Sequence, residues 1–245
     1  MSFERHGIRH LSASSLNLFR AEPSLWTLKY LFGVRDRPGP AASRGTAVEA
    51  ALNAMCVGMT KEMALSKGIR DFLNEVGEIE DVQEHVRHIS DMIDQLQLFF
   101  RFELDLHKAS LITQKKVELH LDGIEVPVVG YIDYLRPDCL FDLKTTLRLP
   151  SEPRPEHVRQ MAIYSAVENV PAKLVYVTPK KHAVYTVPES LLQEGLAEVR
   201  RIARNLQKVL QFSATKEDVA EFYTPDYTSF YWNEETITKA KEVFV

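Results

Sequence analysis

Residues 130–146, GYIDYLRPDCLFDLKTT, predict a buried β-hairpin, and this hairpin constrains the fold more than any other part of the chain. The segment Arg136-Pro137-Asp138-Cys139 carries proline at the second position of a β-turn, which fixes where the chain reverses direction. If the turn is closed by its first and last residues, the predicted cross-strand pairs are Leu135 with Leu140, Tyr134 with Phe141, and Asp133 with Asp142. Two aspartates are therefore expected to face each other in an otherwise apolar hairpin.

Two opposed carboxylates in an apolar hairpin need a compensating interaction. Directly opposed residues have Cβ atoms roughly 4.5–5.5 Å apart, and like charges in that position are destabilising. Protonation of one acid, a basic side chain between the two, or a bridging cation can compensate. Lys144 lies two residues after Asp142 and so shares its face of the strand. A solvent-exposed hairpin edge is the alternative, which the apolar neighbours of the aspartates disfavour.

A third carboxylate lies in an unusually apolar segment. Residues 44–59, RGTAVEAALNAMCVGM, are apolar nearly all round a predicted helix, which indicates a buried, central helix with Glu49 as its only acid. A lone buried carboxylate needs a partner or a metal. A coordination shell made of three carboxylates and water molecules suits Mg²⁺ or Mn²⁺. An ion pair between Glu49 and the nearby Arg44 is the structural alternative.

The remaining pattern changes from helical spacing to strand alternation near residue 110. The predicted elements are helices broken at Pro23 within 11–33, a Pro/Gly loop at 34–43, the helix at 44–59, two polar-faced helices within 61–108, strands at 110–121, 124–135 and 140–147, a helix at 154–169, strands at 172–179 and 182–187, and a long helix at 189–212. Asp122-Gly123 predicts the turn between the first two strands. This order predicts an α/β, α+β-like fold: a central mixed sheet with an antiparallel three-stranded portion, flanked by helices.

Length and composition indicate one soluble domain. With 245 residues, 45% of them hydrophobic, we expect a single domain over 1–245, with a mainly helical part at 1–110, the sheet at 111–186, and a C-terminal helix and tail at 187–245. No apolar run approaches the roughly 20 residues that span a bilayer, and no signal peptide is recognisable. Cys56 and Cys139 form neither a disulfide framework nor a four-thiolate metal site. These features predict a cytoplasmic protein with no membrane partner.

The net charge of −4 does not by itself indicate a nucleic-acid partner, but local basic surface is available. Phosphate binding requires only such a local surface. The basic clusters are Arg35/Arg37, Lys115/Lys116, Lys180/Lys181 and Arg200/Arg201/Arg204. Solvated charge is the alternative for each. The aromatic residues of the tail segment EFYTPDYTSFYW either stack on unpaired bases or, as we favour, pack against the rest of the chain.

The helix predicted at 154–169 presents a glutamine and a tyrosine on one face. Gln160 and Tyr164 are four residues apart, and His157 lies one turn earlier on the same side. Taken alone, this pair indicates only hydrogen bonding at the edge of the core.

In combination, these segments resemble the PD-(D/E)XK nuclease superfamily and, within it, the RecB-type exonuclease domains. The matching stretches follow the family's order between residues 12 and 164: SASSLNLFRAEPSLWTLKYLFG, RGTAVEAAL, GYIDYL, DLKTT and QMAIY. The resemblance implies a restriction-endonuclease-like core. It also implies site residues: Glu49, Asp133, Asp142 and the backbone carbonyl of Leu143 for the metal, with Lys144, Gln160 and Tyr164 completing the catalytic set.

The function implied by the resemblance is that of a Mg²⁺-dependent DNA exonuclease, with Mn²⁺ able to substitute. Its substrate is expected to be single- or double-stranded DNA ends in recombination or repair, with phage-type enzymes among the relatives. A homo-oligomer and a single-strand annealing or recombination partner protein are compatible with it. No iron–sulfur cluster is expected, because the usual cysteine is missing at Glu22-Pro23 and the C-terminal part has none. The chain also lacks a GxxxxGK[ST] helicase motif.

Three alternatives remain. A structure-specific endonuclease uses the same core, although no appended target-reading segment is recognisable. A non-catalytic DNA-binding or scaffolding subunit could retain the fold, but such proteins usually lose the lysine or an aspartate, and here both aspartates and Lys144 are present. An unrelated metal hydrolase would have to match five motifs in order by chance.

Overall fold

The computed structural model describes residues 1–35 and 37–244 as a five-stranded sheet covered by helices. Asp36, in the loop predicted at 34–43, and Val245, the last residue of the predicted domain, lie outside the described residues. The strands are β1 (Ile112–Leu119), β2 (Val128–Leu135), β3 (Leu140–Thr145), β4 (Ala172–Val177) and β5 (His182–Thr186). The helices are α1 (Ser2–Arg5), α2 (Ala13–Ala21), α3 (Pro23–Tyr30), α4 (Pro40–Cys56), α5 (Lys61–Val76), α6 (Val82–Gln95), α7 (Gln97–Phe99), α8 (Pro155–Glu168), α9 (Glu189–Phe212), α10 (Lys216–Ala220) and α11 (Glu234–Val243).

The sheet is mixed, as the sequence predicts. Its order is β1-β2-β3-β4-β5; β3 and β4 run parallel, and the other neighbours run antiparallel. Parallel neighbours need a crossover connection, and α8 provides it between β3 and β4. The first three strands form the predicted antiparallel portion.

Each face of the sheet is covered by its own apolar core. On one face, Leu16 of α2, Met161 of α8 and Leu206 of α9 are fully buried. On the other, Val48 of α4 and Ile89 of α6 pack into a second cluster, which confirms the central position predicted for the apolar helix. The prediction of helices on both faces is therefore confirmed.

Several element boundaries differ from those predicted. Helix α4 begins at Pro40 rather than at residue 44, because proline is tolerated in the first turn of a helix. The second polar-faced helix ends at Gln95, after which the chain forms α7, a π-helical turn at Phe100–Leu104 and a 3₁₀ segment at Asp105–Ser110. The tail folds into α10 and α11, which the sequence pattern did not indicate.

The connection between β1 and β2 is longer than the Asp122-Gly123 turn predicts. Gly123 does adopt a left-handed φ of 78°, but strand pairing ends at Leu119 with Val128. The residues between them hold the N-terminus instead: the Glu125 carboxylate accepts a hydrogen bond from the backbone amide of Phe3 at 3.1 Å. The register of β1 and β2 therefore differs from the one that a two-residue turn would give.

The described part of the chain contains no helix with both the length and the apolar character needed to cross a bilayer. Cys56 and Cys139 are free and buried, and burial raises the pKa of the Cys56 thiol to about 11.

Candidate active site

The turn after β2 brings the two aspartates together, but not as direct cross-strand partners. The amide of Arg136 donates to the carbonyl of Cys139 at 2.9 Å, and the predicted pairs Leu135–Leu140 and Tyr134–Phe141 are confirmed. The ladder does not continue to the third predicted pair. Oδ2 of Asp133 accepts a hydrogen bond from the amide of Leu143 at 2.8 Å, so a side chain replaces a backbone acceptor there. Strands β2 and β3 therefore separate where the acids lie.

On its other side, Asp133 meets a residue that sequence reasoning missed. The ladder between β1 and β2 skips Gln114, whose φ of 52° is uncommon for a residue other than glycine. Nε2 of Gln114 donates to Oε1 of Glu49 at 2.6 Å and to Oδ1 of Asp133 at 3.4 Å. Gln114 therefore connects two of the three predicted carboxylates.

Glu49 lies on helix α4, which places its carboxylate beside Gln114. Burial raises the pKa of Glu49, as does the charge of Asp142, while a hydrogen bond from Gln114 opposes the shift. The alternative ion pair with Arg44 is not formed; Nη1 of Arg44 lies 3.1 Å from Nδ1 of His85 instead. Five residues along an α-helix correspond to about 140° of rotation, so Arg44 and Glu49 point in different directions.

Lys144 compensates the charge of Asp142, as predicted. Its Nζ lies 2.7 Å from Oδ2 of Asp142, whose side chain is only 1% exposed, and donates to Oε1 of Gln160 at 2.9 Å. Burial lowers the pKa of Lys144, but Asp142 and then Asp133 raise it further, so the net direction is upward. At neutral pH the amine is therefore charged and acts as a cation and hydrogen-bond donor rather than as a base.

Helix α8 presents the predicted glutamine and tyrosine to the same cluster. Nε2 of Gln160 donates to Oδ1 of Asp142 at 3.0 Å and to Oη of Tyr164 at 2.9 Å. A Cβ at Gly130 would lie 2.5 Å from Cε1 of Tyr164, so the glycine of GYIDYL is required for this close approach. Burial raises the pKa of Tyr164 to about 12, and the phenol stays protonated at neutral pH.

Lys144, Gln160 and Tyr164 border an open cleft of about 790 Å³ between α2, β2 and α8. Its lining includes Lys144, Gln160 and Tyr164, and also His157, which lies one helical turn before Gln160 as predicted. Burial lowers the pKa of His157 to about 3, so the ring is neutral. Ser12, Ser14, Asn17 and Arg20 of the N-terminal helical segment form the facing wall.

The aromatic tail packs in part against the rest of the chain, as we favoured, and base stacking by its other rings stays a prediction. Trp232 is buried against Leu25 and Leu28 of α3, as the packing alternative predicts. Tyr231, in contrast, lines the cleft and is stacked on Phe230, which is 88% exposed.

The predicted ligands fit a hard divalent cation chemically. Burial, and then the charges of Asp142 and Glu49, raise the pKa of Asp133 well above its ordinary value. Apart from its ionic contact with Lys144, Oδ2 of Asp142 is buried without a hydrogen-bond donor in the described chain. Carboxylate and carbonyl oxygens are the ligands that Mg²⁺ prefers. Among residues 1–35 and 37–244, no three acidic, histidine or cysteine side chains surround one point in a geometry that could hold a metal ion.

Comparison with known proteins agrees with this geometry. The sequence profile of the PD-(D/E)XK nuclease superfamily matches residues 10–226. The crystal structure of a candidate exonuclease from Eubacterium rectale, 17% identical in sequence, aligns with a TM-score of 0.60 over 89% of this chain and 84% of that chain, which shows a shared fold.

A crystal structure of an alkaline exonuclease from Laribacter hongkongensis is more distant, with 14% identity and a TM-score of 0.34 over 70% of this chain and 94% of that chain. No curated protein matches the sequence. The profile spans well over half of the chain and includes Asp133, Asp142 and Lys144. The chain belongs to the PD-(D/E)XK nuclease superfamily.

Proposed function

We propose that this protein is a metal-dependent DNA exonuclease that hydrolyses phosphodiester bonds from DNA ends. The observation that carries the proposal is the arrangement around Lys144, a charged amine held between the buried Asp142 and Gln160 at the edge of an open cleft. Superfamily membership supports a nuclease, and a complete set of acids with the lysine disfavours a non-catalytic scaffold.

The residues proposed to hold a metal are Asp133, Asp142, Glu49 and the backbone carbonyl of Leu143. When bound, Mg²⁺ or Mn²⁺ supplies positive charge at the phosphate and makes a water molecule more acidic. Asp133 would supply a ligand from β2, Asp142 a ligand from β3, and Glu49 a ligand from α4. Only oxygen ligands are involved, and no iron–sulfur cluster is included in the proposal.

Lys144 is proposed to stabilise the transition state. Its ammonium group can donate to a non-bridging phosphate oxygen as negative charge develops there, which is worth most in a site partly shielded from water. Gln160 holds the amine through its carbonyl oxygen and Asp142 through its amide group, and Tyr164 anchors Gln160. Gln160 and Tyr164 therefore position the catalytic amine relative to the scissile bond.

We favour an exonuclease over an endonuclease because Gln160 and Tyr164 and the N-terminal helical segment match the RecB-type exonuclease domains. Recombination or repair of DNA ends is the proposed setting, with a second copy of the chain or an annealing protein as compatible partners. We also propose that residues 1–245 act as one domain, because both apolar cores pack on the same sheet.

The test compares end-labelled linear DNA with a covalently closed circle, each incubated with Mg²⁺, Mn²⁺ or EDTA. We expect metal-dependent loss of the linear DNA alone, and the order in which labelled ends are released gives the polarity. Cutting of the closed circle would favour the endonuclease alternative. Binding to both DNAs without cleavage of either would contradict the enzymatic proposal.

A further inference from the structure

A second depression, of about 630 Å³, lies beside the end of β3 and shares no lining residue with the catalytic cleft. We call it the basic groove, and it is lined by Arg148, Leu149, Pro150, Ser151, Glu152, Pro153, Arg154, Pro155, Lys181 and Tyr185. Three of these side chains, Arg148, Arg154 and Lys181, are cationic and exposed, and Lys180 adjoins them. Glu152 is the only acid in the lining, so the groove carries net positive charge.

Among the described residues, none forms an ion pair with a cation of the basic groove. No ion pair between described residues involves Arg148, Arg154 or Lys181, whereas the predicted basic cluster on β1 is neutralised. There, Lys115 pairs with Glu168 at 2.8 Å and Lys116 with Glu118 at 2.6 Å. The lysines on β1 are therefore paired within the chain, whereas the cations of the basic groove are available for a ligand.

The loop that carries Arg148 and Arg154 is held in place by hydrogen bonds. Oη of Tyr185 donates to the carbonyl of Pro150 at 2.7 Å, and the amide of Arg154 donates to Oη of Tyr176 at 3.1 Å. The loop also contains Pro150, Pro153 and Pro155, which restrict its backbone. A preorganised site loses little conformational entropy when a ligand binds.

The basic groove and the catalytic cleft meet at the start of α8. Oη of Tyr176, which accepts from the amide of Arg154, also lies 2.8 Å from Nδ1 of His157 in the cleft. In addition, Arg148 follows Lys144 by only four residues, in the loop just after β3. The basic groove therefore adjoins the cleft that Lys144 borders.

We propose that the basic groove binds the phosphate backbone of DNA beyond the scissile bond. This inference rests on the proposed function, since it assumes that the DNA strand passes Lys144. Cationic side chains bind phosphates without regard to base sequence, and they release condensed counterions when they do so. The groove therefore contributes affinity for DNA and sets the direction of the bound strand, but it gives no sequence preference.

The test removes the three cations together, as Arg148→Ala/Arg154→Ala/Lys181→Ala. A matched control, Arg70→Ala/Arg101→Ala/Lys241→Ala, removes the same charge from exposed positions that line neither the catalytic cleft nor the basic groove and belong to none of the predicted basic clusters. Binding of a fluorescein-labelled partial-duplex DNA is measured by anisotropy in EDTA at several salt concentrations. EDTA removes the divalent ions that the proposed cleavage requires, so binding is measured without hydrolysis.

We expect the groove variant to bind about ten-fold more weakly or worse, and the slope of log affinity against log salt to fall by about 2, since each phosphate contact contributes about 0.7–0.9. The control variant should remain within about two-fold of wild type. Equal losses in both variants, or no loss in the groove variant, would overturn the inference.

Hydrolysis of a dinucleotide distinguishes failure of the inference from failure of the proposed function. This substrate can occupy the cleft without reaching the groove, so the groove variant should cleave it at the wild-type rate. A wild-type protein that cleaves no substrate but binds DNA through the groove would contradict the proposed function alone. A wild-type protein that cleaves, with both triple variants binding equally, would contradict the inference alone.

Gln114 carries a second, independent inference. It is held at a φ of 52° as the third residue of β1, and such strain persists only where the surrounding structure imposes it. Its carboxamide donates to both Glu49 and Asp133, and each carboxylate keeps a second oxygen that Gln114 does not contact. We infer that Gln114 is a positioning residue that orients these two proposed metal ligands.

The test measures Mn²⁺ binding to the intact protein by calorimetry, without DNA. Both Gln114→Ala and Gln114→Gly are expected to weaken Mn²⁺ affinity by about 10–100-fold, the usual effect of losing a group that orients a metal ligand. Glycine tolerates positive φ, so the glycine variant should melt at a higher temperature than the alanine variant. A shared loss of affinity despite different stability would assign the effect to the side chain.

The control is Gln193→Ala, since Gln193 donates to Glu189 at the same 2.6 Å but on the exposed surface of α9. It should bind Mn²⁺ as the wild type does. Unchanged or tighter Mn²⁺ binding in both Gln114 variants would overturn the inference.

Discussion

Replacing Asp133 with asparagine is expected to abolish DNA cleavage and, in the absence of metal, to make the protein more stable. Cleavage should fall by more than about 1,000-fold, as is usual when a group at the reacting centre is lost. The stability gain arises because Asp133 is buried beside the charges of Asp142 and Glu49, which raise its pKa well above the ordinary value. Asparagine keeps the shape and the acceptor for the Leu143 amide without the charge.

The gain in stability has a defined dependence on pH. Because the folded-state pKa of Asp133 is raised, the folded chain favours the protonated form, and the stability from this group is lost as pH rises through the folded pKa. In EDTA, the stability advantage of Asp133→Asn over wild type should therefore be smallest in acid, where Asp133 is protonated in both the folded and unfolded chain, and should increase as pH rises to neutral. Urea unfolding across this range measures it.

Asp142→Asn is the matched comparison. It also removes a carboxylate from the cluster, and cleavage should likewise be lost. Asp142, however, forms an ion pair with Lys144 at 2.7 Å. Replacing Asp142 removes this ion pair and should therefore not give the same gain in stability. An Asp133→Asn protein that is less stable than wild type at neutral pH in EDTA would contradict the electrostatic account of the site.

Local chemistry explains which parts of the site could be predicted from the sequence. The proline turn between β2 and β3 determines the pairs Leu135–Leu140 and Tyr134–Phe141 because it involves only four consecutive residues. The strand period of two places Lys144 beside Asp142, and the helical spacing places Gln160 beside Tyr164. Each of these relations depends on residues close in the chain.

The parts that could not be predicted depend on residues far apart in the chain. Gln114 lies opposite Asp133 through the β1–β2 register, and the connection between these strands contacts Phe3, more than 100 residues away from Glu125. The β2–β3 ladder also ends before Asp133, whose side chain accepts a hydrogen bond from the Leu143 amide. A pattern of side-chain types does not reveal such a side-chain-to-backbone bond. The Arg44 alternative, in contrast, could have been rejected from helical geometry alone.

Replacing Lys144 with alanine is expected to lower cleavage by about 100–1,000-fold while leaving metal binding intact. The amine is charged at neutral pH and is not a metal ligand, so its loss removes stabilisation of developing charge, for which such a factor is typical. Single-turnover cleavage with saturating Mn²⁺ measures the rate, and calorimetry measures Mn²⁺ affinity. Lys173→Ala is the control, since Lys173 lies on the adjacent strand over the ring of Phe141, at 5.3 Å, and should leave cleavage unchanged.

The stability of Lys144→Ala distinguishes an electrostatic role from a purely structural one. Without metal, the variant leaves Asp142 buried and without its cation, which should cost about 2–3 kcal/mol; the cost is moderated because the Lys144 side chain is 23% exposed. A bound divalent ion replaces the missing charge, so Mn²⁺ should restore most of this stability without restoring cleavage. Recovery of stability and activity together would show that Lys144 only supports the fold, and wild-type cleavage by the variant would remove it from the catalytic set.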